Sequence, residues 1–534
     1  MSNRFEMVAK TLQGLEEVLA EELRSLGAEN VEPGNRMVSF EGDLELLYRS
    51  NMACRTALRI LKPIYKFIAH DTDSLYEMVK EVDWSEIITP GKTFSIDSVV
   101  NSSVFTNSLF VTYRVKDGIA DWFTDRYGEG NRPGVRLKDA DVLINVHIDE
   151  TRVTLSLDSS GESLHRRGYR VAQTEAPINE VLAAGIILKS GWRGDCPLVD
   201  PMCGSGTFLI EAALIAANIM PGIYRKGFAF ENWPDFDAVL LERIYNDDSE
   251  EREFDHKIYG GDISPKAIAI ATENIKNAGV AKYITLEQKS ISAWTDAPED
   301  GIPGVLVTNP PYGERISVED MDGLYSKIGD RLKHVFTGYH AWIIGYKSEY
   351  FNKIGLSAST KTPMKNGSLD CELREFVIFE GAYSAFRAEG GRLREDDDDE
   401  IKLPGGRRAR LSDKEWKSRA RRQGQGGKEA RRSEADDRRD SKRDSKRDFK
   451  HDAGKRDGKF AKGRGDKGYG QHGYRADADN ERYRDLTPEQ EKMLNRHRNP
   501  HALKSITNKR PSLPKNEGPI MRQRGWKRRG DNKK

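Results

Sequence analysis

The stretch Asn309-Pro310-Pro311-Tyr312-Gly313-Glu314-Arg315 closes the apolar run Gly304–Thr308 and holds the residues best able to do chemistry. Two prolines keep the backbone extended and contribute no N–H groups. Their carbonyls and the Asn309 carboxamide oxygen are left as acceptors. Tyr312 adds a ring on which a base can stack, a contact worth about 1–3 kcal/mol. A slot lined by acceptors and covered by an aromatic ring suits a planar –NH2 group on a heterocycle. Such an amine is a poor nucleophile, because its lone pair is delocalised into the ring. Hydrogen bonds to both of its N–H groups localise that pair and aim it. Taken alone, the same residues also describe a strand-to-turn transition, since Asn and Pro are common in turns.

Upstream, Cys196-Pro197-Leu198-Val199-Asp200-Pro201-Met202-Cys203-Gly204-Ser205-Gly206-Thr207 runs into the apolar segment Phe208–Ala217. This is a buried strand, a tight glycine turn and a helix start, an arrangement that brings backbone close to a nucleotide. No Lys follows the glycines to meet β- and γ-phosphates, and the G-x-G-x-x-G spacing breaks at Leu209. An acid at the strand tip without a phosphate-binding Lys fits a cationic, phosphate-free nucleoside such as S-adenosylmethionine. Asp200 and Met202 then lie towards the methionyl end, and Gly204, Ser205, Gly206 and Thr207 complete the cradle. The next strand, Lys257–Ile263, ends in Asp262 and Ile263, and Ser264-Pro265 opens a predicted helix over Lys266–Ala278. Ser suits the N-cap and Pro the first helical position. A carboxylate placed like Asp262 can accept both ribose hydroxyls.

These blocks in this order resemble the Rossmann-like S-adenosylmethionine-dependent methyltransferases that modify exocyclic amines. The likeness extends to Leu164-His165-Arg166-Arg167-Gly168-Tyr169-Arg170, Ala176–Ala184, Pro221-Gly222 and Phe228–Trp233. Over residues 1–382 the chain resembles the THUMP-domain RNA guanine-N2 methyltransferases, the 23S rRNA type above all. The resemblance implies a seven-stranded, mostly parallel sheet and an RNA acceptor. It also implies that Asn309, Pro310, Pro311 and Tyr312 act at the reacting amine, with Asn309 reaching the cofactor too. One position departs from the family pattern. Ser290 stands where an acid near the adenine amine is usual, so that contact loses its charge assistance.

The elements that must position these residues account for only part of the 534-residue chain. Periodic apolar segments run through residues 1–382 and stop near Ser384. Residues 1–400 carry 44 Lys+Arg against 65 Asp+Glu, a net −21, and residues 401–534 carry 42 against 20, a net +22. The tail, residues 383–534, has too little apolar surface to offset chain entropy, and disorder is expected there apart from a short helix at Pro488–Arg498. Its basic charge suits either an RNA-tethering arm or a solubilising extension.

At the other end, a strand at Phe5–Ala9, a helix over Gly14–Leu26 stopped by Gly27, strands at Val31 and Met37–Phe40, and a helix from Leu44 suggest a ferredoxin-like α+β unit over residues 1–45. A THUMP-like region is expected over residues 46–157, with helices Asp73–Val82 and Ser108–Tyr127 and strands Phe94–Val99, Val142–Ile148 and Arg152–Leu157. The methyltransferase domain follows over residues 158–382. Arg114, Lys116, Arg126, Arg132, Arg136 and Lys138 form a candidate RNA-binding cluster, unless they are simply a charged helix face and loop. Arg166, Arg167 and Arg170 are candidate phosphate contacts, and Arg315 is either another or a partner for Glu319.

Cys54, Cys196, Cys203 and Cys371 have no metal-ligand spacing and read as reduced thiols in a cytoplasmic protein. No apolar run approaches the ~18 residues of a membrane span, and Met1–Glu6 lacks the apolar core of a signal peptide. The expected activity is methyl transfer to the N2 amine of a guanine in 23S rRNA, without a metal. Two alternatives stand beside it: a tRNA guanine as acceptor, or a ribosome-assembly RNA-binding factor with weak or vestigial transferase activity. Oligomeric state is left open.

Overall fold

The computed structural model describes residues 4–89, 91–175, 177–299, 302–312, 318–381, 400–402 and 408–410. Eight strands of the front part form one sheet: β1 (Phe5–Lys10), β2 (Glu29–Gly34), β3 (Met37–Gly42), β4 (Arg59–Ile68), β5 (Thr93–Asn101), β6 (Gly134–Val135), β7 (Val142–Asp149) and β8 (Arg152–Asp158). Their spatial order is β2-β3-β1-β4-β8-β7-β5-β6. The ferredoxin-like and THUMP-like regions therefore share a single sheet, joined through β4.

That joining strand is absent from the sequence expectation. Pro63 argues against an interior strand, yet β4 lies between β1 and β8. It pairs with β1 only over Arg59–Leu61, so the missing N–H of Pro63 interrupts no ladder on that side. On the β8 side the register shifts between Pro63 and Tyr65, a bulge that accommodates the ring. The expected break after residue 45 falls inside the helix Leu44–Ala53. Asp43 caps that helix by accepting the Leu46 N–H, and Leu46, Leu47 and Tyr48 are buried beneath it, so the first unit continues through the helix.

The second sheet contains β9 (Leu198–Asp200), β10 (Ile258–Asp262), β11 (Ile284–Gln288), β12 (Val305–Thr308), β13 (His340–Gly345), β14 (Thr360–Asn366) and β15 (Leu369–Val377). Its order is β11-β10-β9-β12-β13-β15-β14, with β11 to β13 parallel and the β14–β15 hairpin antiparallel. This is the expected seven-stranded α/β architecture. β9 and β12 carry the apolar runs Leu198-Val199 and Val305–Val307, buried because both faces of the sheet are covered. Helix Thr207–Ala216 is buried along its whole length, and its one charge, Glu211, is fully enclosed.

The two sheets hold each other by exchanging side chains. Leu15 of the front part is buried in the catalytic core, against Gly185 of helix Glu180–Lys189, where a Cβ would come within 2.5 Å of the leucine. In return Phe228, Phe230, Trp233 and Ile244 of the catalytic half join the front core. Tyr48 stacks on Phe230 at 4.2 Å between centroids and 13° between planes, and its hydroxyl accepts the Asp237 N–H at 3.0 Å. Gly222 sits against the Met52 backbone, where a Cβ would approach to 2.7 Å.

Within the stretch expected to lack structure, Glu400–Lys402 and Arg408–Arg410 pair as a short antiparallel hairpin. The expected helix at Pro488–Arg498 and the rest of the tail beyond Arg410 lie outside the described residues. Phe230→Ala should destabilise the protein by about 3–5 kcal/mol, the cost of emptying a buried aromatic site. Urea unfolding at equilibrium measures that loss, and a shift under 1 kcal/mol would show the stack to be dispensable.

Candidate active site

Parallel pairing brings three strand ends together. Leu198 lies opposite Ile258 on one side and Val305 on the other, so β9, β10 and β12 terminate side by side. Asp200, Asp262 and Asn309 stand at those three ends, as the sequence spacing anticipates. Such a row at the carboxyl edge of a parallel sheet is the usual place for a ligand crevice.

Asp200 is buried, with 1% of its surface exposed. Thr308 donates its hydroxyl to Asp200 Oδ1 at 2.9 Å, and the Met202 N–H donates to the same oxygen at 3.2 Å. Burial away from water is the main reason its pKa rises to about 7, and the neighbouring Asp262 carboxylate pushes it the same way. Thr308, which sequence reasoning missed, is the polar residue at the end of an otherwise apolar strand, and that break in pattern is the signal for it.

Asp262 locks the glycine turn. Its Oδ2 accepts the Gly204 N–H at 3.0 Å and its Oδ1 the Ser264 N–H at 2.8 Å. Each oxygen keeps a lone pair for a ribose hydroxyl. Gly204 (φ +53°) and Gly206 (φ +82°) are both left-handed, and a Cβ on Gly206 would meet Ala271 at 3.2 Å. Gly204 faces open space, where the nearest heavy atom to an added Cβ is Thr174 Oγ1 at 3.8 Å. Ile263 is 72% exposed beside Asp262, and Ser290 follows β11 at the same edge, opening the turn Ile291–Ala293. An open left-handed turn, a carboxylate with free lone pairs, an exposed apolar side chain and a buried acid suit a cationic adenosyl cofactor.

Ser205 lies in the turn itself and Thr207 opens the helix after it, with their hydroxyls bonded within the protein. Both are buried, and Arg170 donates to Ser205 Oγ and to Thr207 Oγ1, each at 2.9 Å, while its Nε meets Glu180 at 2.7 Å. Their hydroxyls thus buttress the turn from behind, leaving backbone as what they offer a nucleotide. Arg170 is therefore a brace, and Arg167 another interior group. Arg167 is 2% exposed, 3.4 Å from Glu211, and donates to the Leu164 and Arg55 carbonyls. Neither can serve as the phosphate contact expected of it. Arg166 is exposed and pairs with Glu162. Asn274, fully buried, donates to the Ser205 carbonyl at 3.0 Å and ties the turn to residues 171–172. An Asn on the inward face of an amphipathic helix is the clue that points to it.

At the third strand end, Pro310 is buried and Pro311 exposed. The Tyr312 hydroxyl donates to Asn309 Oδ1 at 2.5 Å and accepts from Asn366 Nδ2 at 2.9 Å. Burial holds that hydroxyl well above the ordinary phenol range, so it remains a donor. Tyr312 packs against the catalytic core, and its hydroxyl orients the Asn309 carboxamide. Arg315 and its possible partner Glu319 lie outside the described side chains.

In the THUMP-like region, most of the expected cationic cluster is already engaged. Arg114 pairs with Asp73 at 2.6 Å and lies over Tyr76, Lys116 meets Asp117, Arg132 meets Asp121, and Arg126 covers Trp122. Arg136 and Lys138 are exposed. Among the described residues, no group of three or more His, Cys, Asp or Glu is placed to hold a metal, and no helix is long and apolar enough to cross a membrane.

Residues 167–375 match the family model for the RMKL-like methyltransferase domain, residues 69–158 that for the THUMP domain, and residues 6–61 that for the RlmL ferredoxin-like domain. The chain is 38% identical over 374 residues to a putative RNA methyltransferase of Synechocystis sp. (strain ATCC 27184 / PCC 6803 / Kazusa), covering 70% of this chain and 96% of that one. The chain belongs to this methyltransferase family. It is also 40% identical over 381 residues to ribosomal RNA large subunit methyltransferase K/L of Syntrophotalea carbinolica, covering 69% of this chain and 53% of that protein. It thus spans about half the length of such relatives. A solved family neighbour, a putative methyltransferase complexed with SAH, superposes with a TM-score of 0.63 at 33% identity, covering 72% of this chain and all of that one.

The Asp200 carboxyl gives the site a pH signature. A cationic cofactor favours its ionised form, so affinity for S-adenosylmethionine should rise between pH 6 and 8 and level off above. Asp200→Asn should weaken binding at pH 8 and remove the rise in affinity that Asp200 ionisation gives the wild type between pH 6 and 8. Calorimetric titration of both proteins checks this, and parallel pH profiles would refute it. Between about pH 4 and 7 the folded chain holds a proton that the unfolded chain has lost, so stability without cofactor should fall as pH rises through that window.

Proposed function

We propose that this protein transfers a methyl group from S-adenosylmethionine to the exocyclic N2 amine of a guanine in 23S rRNA, in the cytoplasm. The observation that carries the reading is the Asn309 carboxamide, clamped by Tyr312 at the end of β12, one strand from the buried Asp200 and the Gly204 turn. When bound, the cofactor supplies an electrophilic methyl carbon on a sulfonium centre. Asp200 and the glycine turn hold its aminoacyl side, Asp262 its ribose, and Ile263 and Ser290 line the adenine edge. Asn309 Oδ1 and the Pro310 carbonyl accept the two N–H groups of the target amine and aim its lone pair. As the new N–C bond forms and the methyl–sulfur bond breaks to leave a neutral thioether, the amine becomes acidic, so its proton can leave to water without a dedicated base. A guanine within a duplex must be flipped out at a cost of a few kcal/mol, and the THUMP region offers compensating RNA contacts.

Asn309→Ala should lower kcat about 10²–10³-fold, as expected when a preorganised hydrogen-bonding group at the reacting centre is lost, with cofactor affinity changed far less. Single-turnover transfer of tritiated methyl to 23S rRNA from a strain lacking the gene measures this. Undiminished turnover would remove Asn309 from the mechanism. Mass spectrometry of nucleosides from the same strain should show N2-methylguanosine reduced in 23S rRNA and unchanged in tRNA. The opposite result moves the acceptor to tRNA, and no change in either pool ends the enzyme reading.

We also propose that residues 401–534, at a net +22 against −21 for residues 1–400, act as an RNA-tethering arm. Deleting them should weaken rRNA binding most at low salt, where counterion release contributes most, and should leave S-adenosylmethionine binding intact. Equal RNA affinity with and without the segment would reduce it to a solubiliser.

A further inference from the structure

The Tyr312 hydroxyl meets two groups besides Asn309, and both come from the β14–β15 hairpin. Asn366 Nδ2 donates to it at 2.9 Å, and the Cys371 thiol makes a weaker S–H contact at 3.8 Å. Met364 and Asn366 share a face of β14, two residues apart, and Cys371 stands opposite Met364 on β15. Met364 and Cys371 are buried in the catalytic core, so that face turns towards it. Asn366 pairs with Leu369 across the closing turn, where Gly367 takes φ +62°. A two-residue hairpin loop with a left-handed residue fixes the register of the strands it joins. β15 is paired in turn along β13 from His340 to Gly345, so Asn366 is held on the sheet.

A carboxamide can turn over about its last bond and exchange oxygen for nitrogen with little change of shape. For Asn309 that exchange decides the chemistry. The target amine brings N–H donors, and only an oxygen can accept one of them. A carboxamide N–H in that place would set donor against donor. Tyr312 cannot choose between the two arrangements unaided, because a hydroxyl both donates and accepts. The groups on its other side make the choice. Asn366 presents an N–H, and the Cys371 thiol, whose pKa is raised by burial, keeps its proton. With donors at both of those positions, the hydroxyl hydrogen is left for Asn309 Oδ1, 2.5 Å from the phenol oxygen. These bonds meet the ring at its edge, so they do not compete with a base stacked on its face.

Resting on the function proposed above, we propose that Asn366 is a positioning residue for methyl transfer, setting the polarity of the Asn309 carboxamide through the Tyr312 hydroxyl. Donation from Asn366 commits the hydroxyl to donate onward, and the second lone pair of Asn309 Oδ1 is then free for an amine N–H. An acid at position 366 has nearly the same shape and the opposite polarity. Its carboxylate takes the phenol hydrogen as a hydrogen bond, and the phenol oxygen then accepts from Asn309 Nδ2. The carboxamide is thereby turned over, and it presents its other N–H to the amine.

The test compares full-length wild type, Asn366→Ala, Asn366→Asp, Tyr312→Phe and the two double variants. The acceptor is whichever of 23S rRNA and tRNA, both from a strain lacking the gene, the wild type methylates. Asn366→Ala should lower kcat about 2- to 10-fold, the loss of one orienting hydrogen bond. Asn366→Asp should lower it about 10²-fold, close to losing the Asn309 acceptor itself. KM for RNA and affinity for S-adenosylmethionine should stay within about twofold of wild type, because the bond aims the amine and holds neither substrate. In the Tyr312→Phe background the relay is cut, and either substitution at 366 should then change kcat by less than about twofold. An aspartate variant no slower than alanine, or losses at 366 that persist undiminished without the hydroxyl, overturns the relay while leaving the transferase reading intact. Should Asn366→Asp melt below the assay temperature, the alanine variant with and without the hydroxyl decides by the same comparison. Wild type inert on both RNAs ends the transferase reading and the relay together.

Discussion

Parallel pairing among β9, β10 and β12 is the constraint on which the site rests. Asp200, Asp262 and Asn309 belong to segments far apart in sequence, and only the shared register of three short strands sets them in a row. Each is then tied to something besides its own strand. Asp200 takes the Thr308 hydroxyl from β12, Asp262 takes the Gly204 N–H from the turn after β9, and Asn309 takes the Tyr312 hydroxyl, itself held by Asn366 of β14. These bonds run across the strand ends, so displacing one end displaces its neighbours. Preorganisation of this kind holds polar groups in place before a substrate arrives, which is where much of their catalytic value lies.

Sequence patterning made the catalytic half legible because its signals are local. An apolar run ending in an acid, glycines where φ must be positive, and Ser-Pro at a helix start are each written within a few residues. The structure places them as read, down to Ser264 capping helix Pro265–Asn277. What remained unread was set by distant partners. Arg167 and Arg170 look like phosphate ligands in a basic linker, and only the fold shows Glu211 and Glu180 waiting for them. Tyr312 reads as a ring on which a base can stack, and only the fold shows Asn366, more than fifty residues later, holding its hydroxyl. Strand β4 was hidden by Pro63, whose lost N–H is harmless on that side because the pairing of β4 with β1 stops at Leu61.

The buried charges around the glycine turn follow one pattern. Arg167 with Glu211, and Arg170 with Glu180, pair opposite charges in the interior and complete them with backbone or hydroxyl partners. Removing one partner of such a pair strands the other, at a cost of about 3–5 kcal/mol. Asp200 has no such cation among its described partners and sits near neutrality instead. The brace behind the turn is thus charge-compensated, whereas Asp200 at the end of β9 takes its hydrogen bonds from a hydroxyl and a backbone N–H.

The exchange of Leu15 for Phe228, Phe230 and Trp233 between the two cores reaches beyond stability. Each half buries side chains in the other's core, which opposes independent movement of the two. The span between the THUMP surface and the amine slot is then a property of the fold, as fixed as the marks on a ruler. Under the proposed function, an RNA held at the THUMP region would present to the Asn309 end only a nucleotide lying at the matching separation.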